Sequence, residues 1–238
     1  MSLLPDYIDP SWKEFLSHDI ITELTTIEQK IGNHFNPTDR NKVLRFLTVP
    51  LNQVNVIWLG QDVYPAEGVA TGRAFEVGNL HSWQEPFRQA SLKNIIRLIH
   101  KNYQKIDQYD DIKTFKAIRE EMEVGTFPIQ SPSAWFASLE QQGVLFLNSA
   151  FTCEINVANS HKQIWHDFST EVLHYISKQR PDIIWFLWGK EAIAKKAYIN
   201  EGIFYESRHP SRCSKTYKDD FLNFSGFQQT FETINWLG

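Results

Sequence analysis

Cysteine is scarce in this chain. There are two in 238 residues, Cys153 and Cys213, far apart and in no CxxC pair. That leaves no disulfide framework and no zinc ribbon, and it points to a reducing compartment. No HExxH occurs, and His161 and His166 are five apart, a poor spacing for one helix face. No metal and no cofactor are therefore expected. Long apolar runs are missing too: none reaches membrane length, and Met1 to Ile20 holds no apolar signal core. A cytoplasmic protein (nuclear in a eukaryote), not secreted and with no membrane partner, is expected. Overall positive charge is also lacking, with 24 Lys and Arg against 28 Asp and Glu. Repeats and low-complexity tracts are absent, and a monomer is the default.

Apolar residues make up 42% of the chain and aromatic residues 14%, enough for one sizeable core at this length. Residues 1–238 read as a single domain. Four short runs rich in β-branched or aromatic residues read as buried strands: Val54–Leu59, Val144–Leu147, Ile183–Trp188 and Ile203–Glu206. Helical spacing falls between them, at Leu92–His100, Phe168–Ile176 and Glu191–Ile199, and Trp12–Leu47 has room for two or three more helices. This alternation predicts an α/β fold, a short, mostly parallel four-stranded sheet flanked by helices. Residues 104–126 are polar and charged. They read as a surface insertion with a helix near Phe115–Met122.

In open parallel sheets, ligands bind beyond the carboxyl ends of the strands. The first predicted strand is followed by Gly60-Gln61-Asp62-Val63-Tyr64-Pro65, the second by Asn148-Ser149 and the fourth by Arg208-His209-Pro210-Ser211. An Asp, an Asn and a His thus reach one rim from three distant stretches. Singly, each has a plainer explanation: a turn-stabilising Asp, a capping Asn, a packed loop His. Together they point to a site. Positive charge gathers nearby. Lys178–Lys218 carries nine Lys and Arg against four Asp and Glu, and every charged residue from Ser207 to Lys218 is basic. Such a run suits phosphate binding or simple solvation equally well.

Six segments, in order, resemble the uracil-DNA glycosylase family: Gly60-Gln61-Asp62-Val63-Tyr64, Gly72-Arg73-Ala74-Phe75-Glu76-Val77, Ser91-Leu92-Lys93-Asn94-Ile95, Gln142–Asn148, Trp188-Gly189-Lys190 and His209-Pro210-Ser211. The similarity runs from about Trp12 to Phe227. It implies a metal-independent repair hydrolase that flips uracil out of DNA and hydrolyses its N-glycosidic bond, leaving an abasic site. On that resemblance Asp62 and His209 are catalytic. Asp62 would stabilise the cationic sugar and orient water, while a neutral His209 would donate to uracil O2 as charge develops there. Gln61, Tyr64, Phe75 and Asn148 would bind the base, with Phe75 stacking on it, Asn148 reading its Watson–Crick edge and Tyr64 excluding the thymine methyl. Ser91, Ser211, Arg212 and Lys215 would grip DNA, in a salt-dependent manner.

The chain also departs from the family. Val63 and Pro65 stand where it has Pro and His, and Gln89-Ala90 where it has two prolines. The segment Ser160-His161-Lys162-Gln163-Ile164-Trp165 is one residue short and lacks a Gly. Arg212-Cys213-Ser214 replaces the loop whose Leu fills the space left by the flipped base. Single-stranded uracil-DNA is therefore the expected better substrate. Three other readings stay open: a catalytically weakened glycosylase-fold protein that binds DNA or a protein partner, an α/β hydrolase of free nucleosides, and a glycosylase of changed base preference. The sequence identifies no protein inhibitor or replication partner.

Overall fold

A computed structural model describes residues 2–238. The central sheet has four strands, β2 (Val56–Gly60), β3 (Val144–Asn148), β5 (Ile184–Trp188) and β6 (Ile203–Ser207), in the order β3-β2-β5-β6 and all parallel. A separate antiparallel pair joins β1 (Phe35–Asn36) to β4 (Cys153–Glu154). The helices are α1 (His18–Ile31), α2 (Ala90–Tyr103), α3 (Phe115–Glu123), α4 (Pro132–Gln141), α5 (His166–Gln179), α6 (Lys190–Ala194) and α7 (Gly226–Gln229).

A parallel sheet covered on both faces reads as continuous apolar sequence, because alternate residues enter different cores. Here Ile57, Leu59, Leu145, Leu147, Trp185 and Leu187 face one core, shared with α1 and α5. Val56, Trp58, Val144, Phe146, Phe186 and Trp188 face the other, shared with α2, α4 and the carboxyl-terminal aromatics Phe221, Phe224, Phe227 and Trp236. Trp58 lies at the centre of that second core, with ring centroids of Trp188, Phe146 and Trp236 at 5.0, 5.1 and 5.7 Å. The core on that face is a lattice of aromatic contacts, each adding about 0.5–1.5 kcal/mol beyond burial.

Three expectations change. Trp12–Leu47 contains one α-helix, α1, capped by Ser17 and stopped by Gly32 at φ +67°; the remainder forms 3-10 turns at Pro10–Trp12, Arg40–Lys42 and Arg45–Thr48. The helix expected at Glu191–Ile199 is a short α6 followed by a 3-10 turn, Lys195–Tyr198. Residues 104–126 are better seated than their polarity suggests. Ile112 and Ile118 are buried in the α2 core, so two apolar side chains anchor a charged segment. No helix among the described residues is long and apolar enough to cross a membrane.

Candidate active site

Parallel strands place all their carboxyl ends on one edge, and the predicted residues gather there. Gly60 at the end of β2 is in register with Asn148 at the end of β3. A Cβ on Gly60 would lie 2.3 Å from Asn148 Oδ1 and 2.9 Å from Ala74 Cβ, so the missing side chain is what lets the carboxamide lie across the strand end. Asn148 is 4% exposed, and among the described residues no protein group hydrogen-bonds its carboxamide.

The loop after β2 turns Asp62 back over this edge. Its Oδ2 accepts from the Asn159 N–H at 2.5 Å, whereas its Oδ1 is buried and has no protein partner. Burial pushes the carboxyl above its ordinary value, opposed by the N–H groups of Asn159 and Val63. Asn159 sits at φ +62°, a left-handed conformation that Asn tolerates, and its Oδ1 accepts from Gln61 Nε2 at 2.9 Å. Gln61 is thus engaged with Asn159. Val63 packs with Ala70 and Cys153 in a small apolar cluster, and the Pro65 carbonyl accepts from Asn36 Nδ2 at 2.6 Å and from the Asn156 N–H at 2.8 Å. Val63 and Pro65 are thus anchored to the β1–β4 pair. Burial pushes the Cys153 thiol up to about 12, which keeps it unreactive.

Asp62, Tyr64, Phe75 and Asn148 line one small cavity, together with Gly72 and Arg73. Phe75 has φ +67°, and its ring rests on Trp188 and Trp58 at centroid distances of 5.3 and 6.2 Å. The Tyr64 hydroxyl donates to the Phe75 carbonyl at 3.4 Å, and burial raises its phenol well above its ordinary value. Arg73 is bound by Glu140 at 2.7 Å and Glu76 at 3.0 Å, so it buttresses the wall and offers no free charge.

His209 follows β6 and stands on the same edge, with β5 between it and the strand that leads to Asp62; it does not line the cavity itself. Gly189, after β5, allows the approach: a Cβ there would come within 2.8 Å of His209 Cβ. The ring Nδ1 accepts from the Ser211 N–H at 3.2 Å and lies 2.9 Å from Ser211 Oγ. A backbone N–H can only donate, so the neutral ring carries its proton on Nε2. His209 is exposed on one side, and partial desolvation by the packed loop on the other lowers its pKa below the ordinary 6.5.

The expected DNA-gripping residues lie apart from the cavity. Ser91 is half-buried in the first turn of α2, where backbone N–H groups lack helical acceptors. Ser211 is exposed and tied to His209, and Arg212 is exposed with no carboxylate partner among the described residues. Lys215 Nζ is paired to Asp110 at 2.9 Å in an exposed, weak ion pair. Cys213 is turned inward, its Sγ 3.6 Å from the Pro210 carbonyl, so it does not project as a wedge. Asn94, seen in the sequence only as part of a motif, donates through Nδ2 to the Pro210 carbonyl at 2.7 Å. Asn159 gave no signal at all, because its contribution to Asp62 is a backbone N–H.

An α/β protein with a carboxylate, an unpaired carboxamide and an aromatic wall around one small cavity at the sheet's carboxyl edge has the form of a ring-binding enzyme. No family model matches the chain. It is 32% identical over 215 residues to a uracil-DNA glycosylase of Campylobacter curvus (86% of this chain, 80% of that one), and 30% identical over 242 residues to one of Borrelia duttonii (95% and 93%). Among solved structures it is similar to mimivirus uracil-DNA glycosylase, with a TM-score of 0.68 at 21% identity over 98% of this chain and 84% of that one. The enzyme of Nitratifractor salsuginis gives 0.66 at 21% identity, over 86% and 85%. The chain belongs to the uracil-DNA glycosylase family.

Proposed function

We propose that this protein excises uracil from DNA by hydrolysing the N-glycosidic bond, with Asp62 and His209 as its catalytic residues and Asn148, Phe75 and Tyr64 as its base-binding residues. One observation carries the reading: Asp62, Tyr64, Phe75 and Asn148, drawn from three separated stretches, line a single cavity in which both Asp62 Oδ1 and the Asn148 carboxamide lack protein partners. Of the two, Asp62 Oδ1 is fully buried, and a polar atom buried without a partner costs about 1–3 kcal/mol, a cost that a ligand recovers on binding.

A uracil ring in this cavity stacks on Phe75 and pairs its N3–H and O4 with Asn148. Cytosine presents the opposite polarity and leaves both groups unmatched. Tyr64 is fixed by its hydrogen bond to the Phe75 carbonyl, so it does not yield to an added methyl. As the bond to the sugar breaks, Asp62 stabilises the positive charge on the sugar, and its Oδ1 accepts a proton from the attacking water. His209 Nε2–H, on the same rim of the sheet, donates to the negative charge developing on the departing base. Gln61 supports this arrangement through Asn159. The DNA backbone is held by Ser91, Ser211 and Arg212, with Lys215 in a lesser part. Residues 1–238 act as one domain, with 104–126 as an added segment on α2. Single-stranded uracil-DNA is the better substrate, because the inward Cys213 leaves duplex flipping without a wedge.

The test incubates the purified protein with uracil-containing single- and double-stranded oligonucleotides in EDTA and measures released base. Release that persists in the chelator and is faster from the single strand is expected. Binding of both strands without release would favour a DNA-binding protein that has lost catalysis, and cleavage of free deoxyuridine would favour a nucleoside hydrolase.

A further inference from the structure

The loop that carries His209 is fastened at three points. The Arg208 N–H donates to the Asp219 carbonyl at 2.8 Å and closes the base of the loop. The Pro210 carbonyl accepts from Asn94 of α2, and the Ser214 N–H donates to Asp220 Oδ2 at 2.6 Å. Ser211, Arg212 and Cys213 lie between the second and third fastenings, and the exposed Ser211 and Arg212 are the residues that the proposed function assigns to the phosphate backbone.

Asp220 is 1% exposed and does more than one job. Its Oδ1 accepts from the Leu222 N–H at 3.0 Å, which caps the 3-10 turn Phe221–Asn223. The same oxygen accepts from the Tyr109 hydroxyl at 2.9 Å. The cap explains one bond of the three. The bonds to Ser214 and Tyr109 are not needed for it, and they join the DNA-facing loop to residues 104–126. That segment reaches the loop a second way: the Lys113 carbonyl accepts from Arg97 Nε at 2.8 Å, and Arg97 Nη1 donates to Asn94 Oδ1 at 2.9 Å. Asn94 in turn holds Pro210. The Lys215–Asp110 pair is a third link, exposed and weak.

We propose that Asp220 and Tyr109 are positioning residues for DNA binding, holding Ser211–Cys213 in the shape that grips the backbone, with residues 104–126 as the buttress. A loop ordered before DNA arrives loses less conformational freedom on binding. The base cavity lies elsewhere and does not depend on these bonds. The proposal rests on the uracil-DNA reading above.

Two variants test it. Asp220→Asn keeps an oxygen for Leu222 and Tyr109 but turns an amide N–H toward the Ser214 N–H. Tyr109→Phe removes the hydroxyl alone. For each, kcat and KM are measured on single-stranded uracil-DNA, Kd by anisotropy on a uracil-free single strand, and the inhibition constant for free uracil. KM and Kd should rise about tenfold in Asp220→Asn and about threefold in Tyr109→Phe, with free-uracil inhibition unchanged. Unchanged Kd in both variants overturns the proposal, as does a loss of free-uracil inhibition that matches the rise in KM. If Asp220→Asn does not fold, Tyr109→Phe decides alone. Should the parent protein release no uracil, the proposed activity fails, while the Kd comparison still decides the buttress.

Discussion

Asp62 keeps one carboxylate oxygen on the Asn159 N–H and the other without a protein donor, and burial raises its pKa. A carboxyl whose folded pKa lies above its unfolded 3.8 costs stability once ionised. That penalty is absent below pH 3.8, grows as pH rises, and is complete above the raised folded value. At neutral pH the protein therefore carries an unfavourable charge at its reaction centre. Asp62→Asn removes the charge while its amide oxygen still accepts from Asn159. The variant should lose about 10²–10³ in kcat and also melt at a higher temperature than the parent at pH 7. Calorimetry beside an excision assay checks both signs. A variant that is slower and less stable would mean that the carboxylate is held chiefly for structure.

At the scale of elements, the sheet was plain in the sequence and the small ribbon was not. Val54–Leu59 was expected where β2 runs Val56–Gly60, because a strand buried on both faces is an unbroken apolar run. The pair β1–β4 has two residues per strand, too few for any periodic signal. Between α1 and β2 the apolar residues Leu44, Leu47 and Leu51 are buried from 3-10 turns and the loops beside them, and composition alone does not separate such turns from helix. The site followed the same division. Asp62, Asn148 and His209 were legible as polar residues at strand ends, whereas the Asn159 N–H was not, being a main-chain donor 97 positions from its partner. Its importance can be measured. Asn159→Pro removes the N–H and forbids the positive φ, and should lower kcat/KM by about tenfold or more, whereas Asn159→Gly keeps both and should stay within about threefold. Equal losses in the two would assign the effect to the Gln61–Asn159 side-chain bond instead.

Across the whole molecule, the proposed roles require Asp62 ionised and His209 neutral, and the fold moves their pKa values toward each other. His209 lies below its ordinary 6.5 and Asp62 above its ordinary 3.8. Both conditions are lost on acidification, so kcat/KM should climb with pH and level off. Tyr64, raised by burial, should impose no alkaline decline below its ordinary 10.0. Rates on a single-stranded substrate between about pH 4 and about pH 9 check this, and a rate that falls as pH rises through 6.5 would mean that His209 acts as a cation. The four parallel strands carry a further consequence. Every loop of the site leaves from one rim of the sheet, so the opposite rim, where Asn200 and Glu201 lie exposed just before β6, is chemically idle. A tag, fluorophore or surface tether attached at that turn would hold the enzyme with its cavity facing away from the support, a mounting that the architecture provides without any redesign.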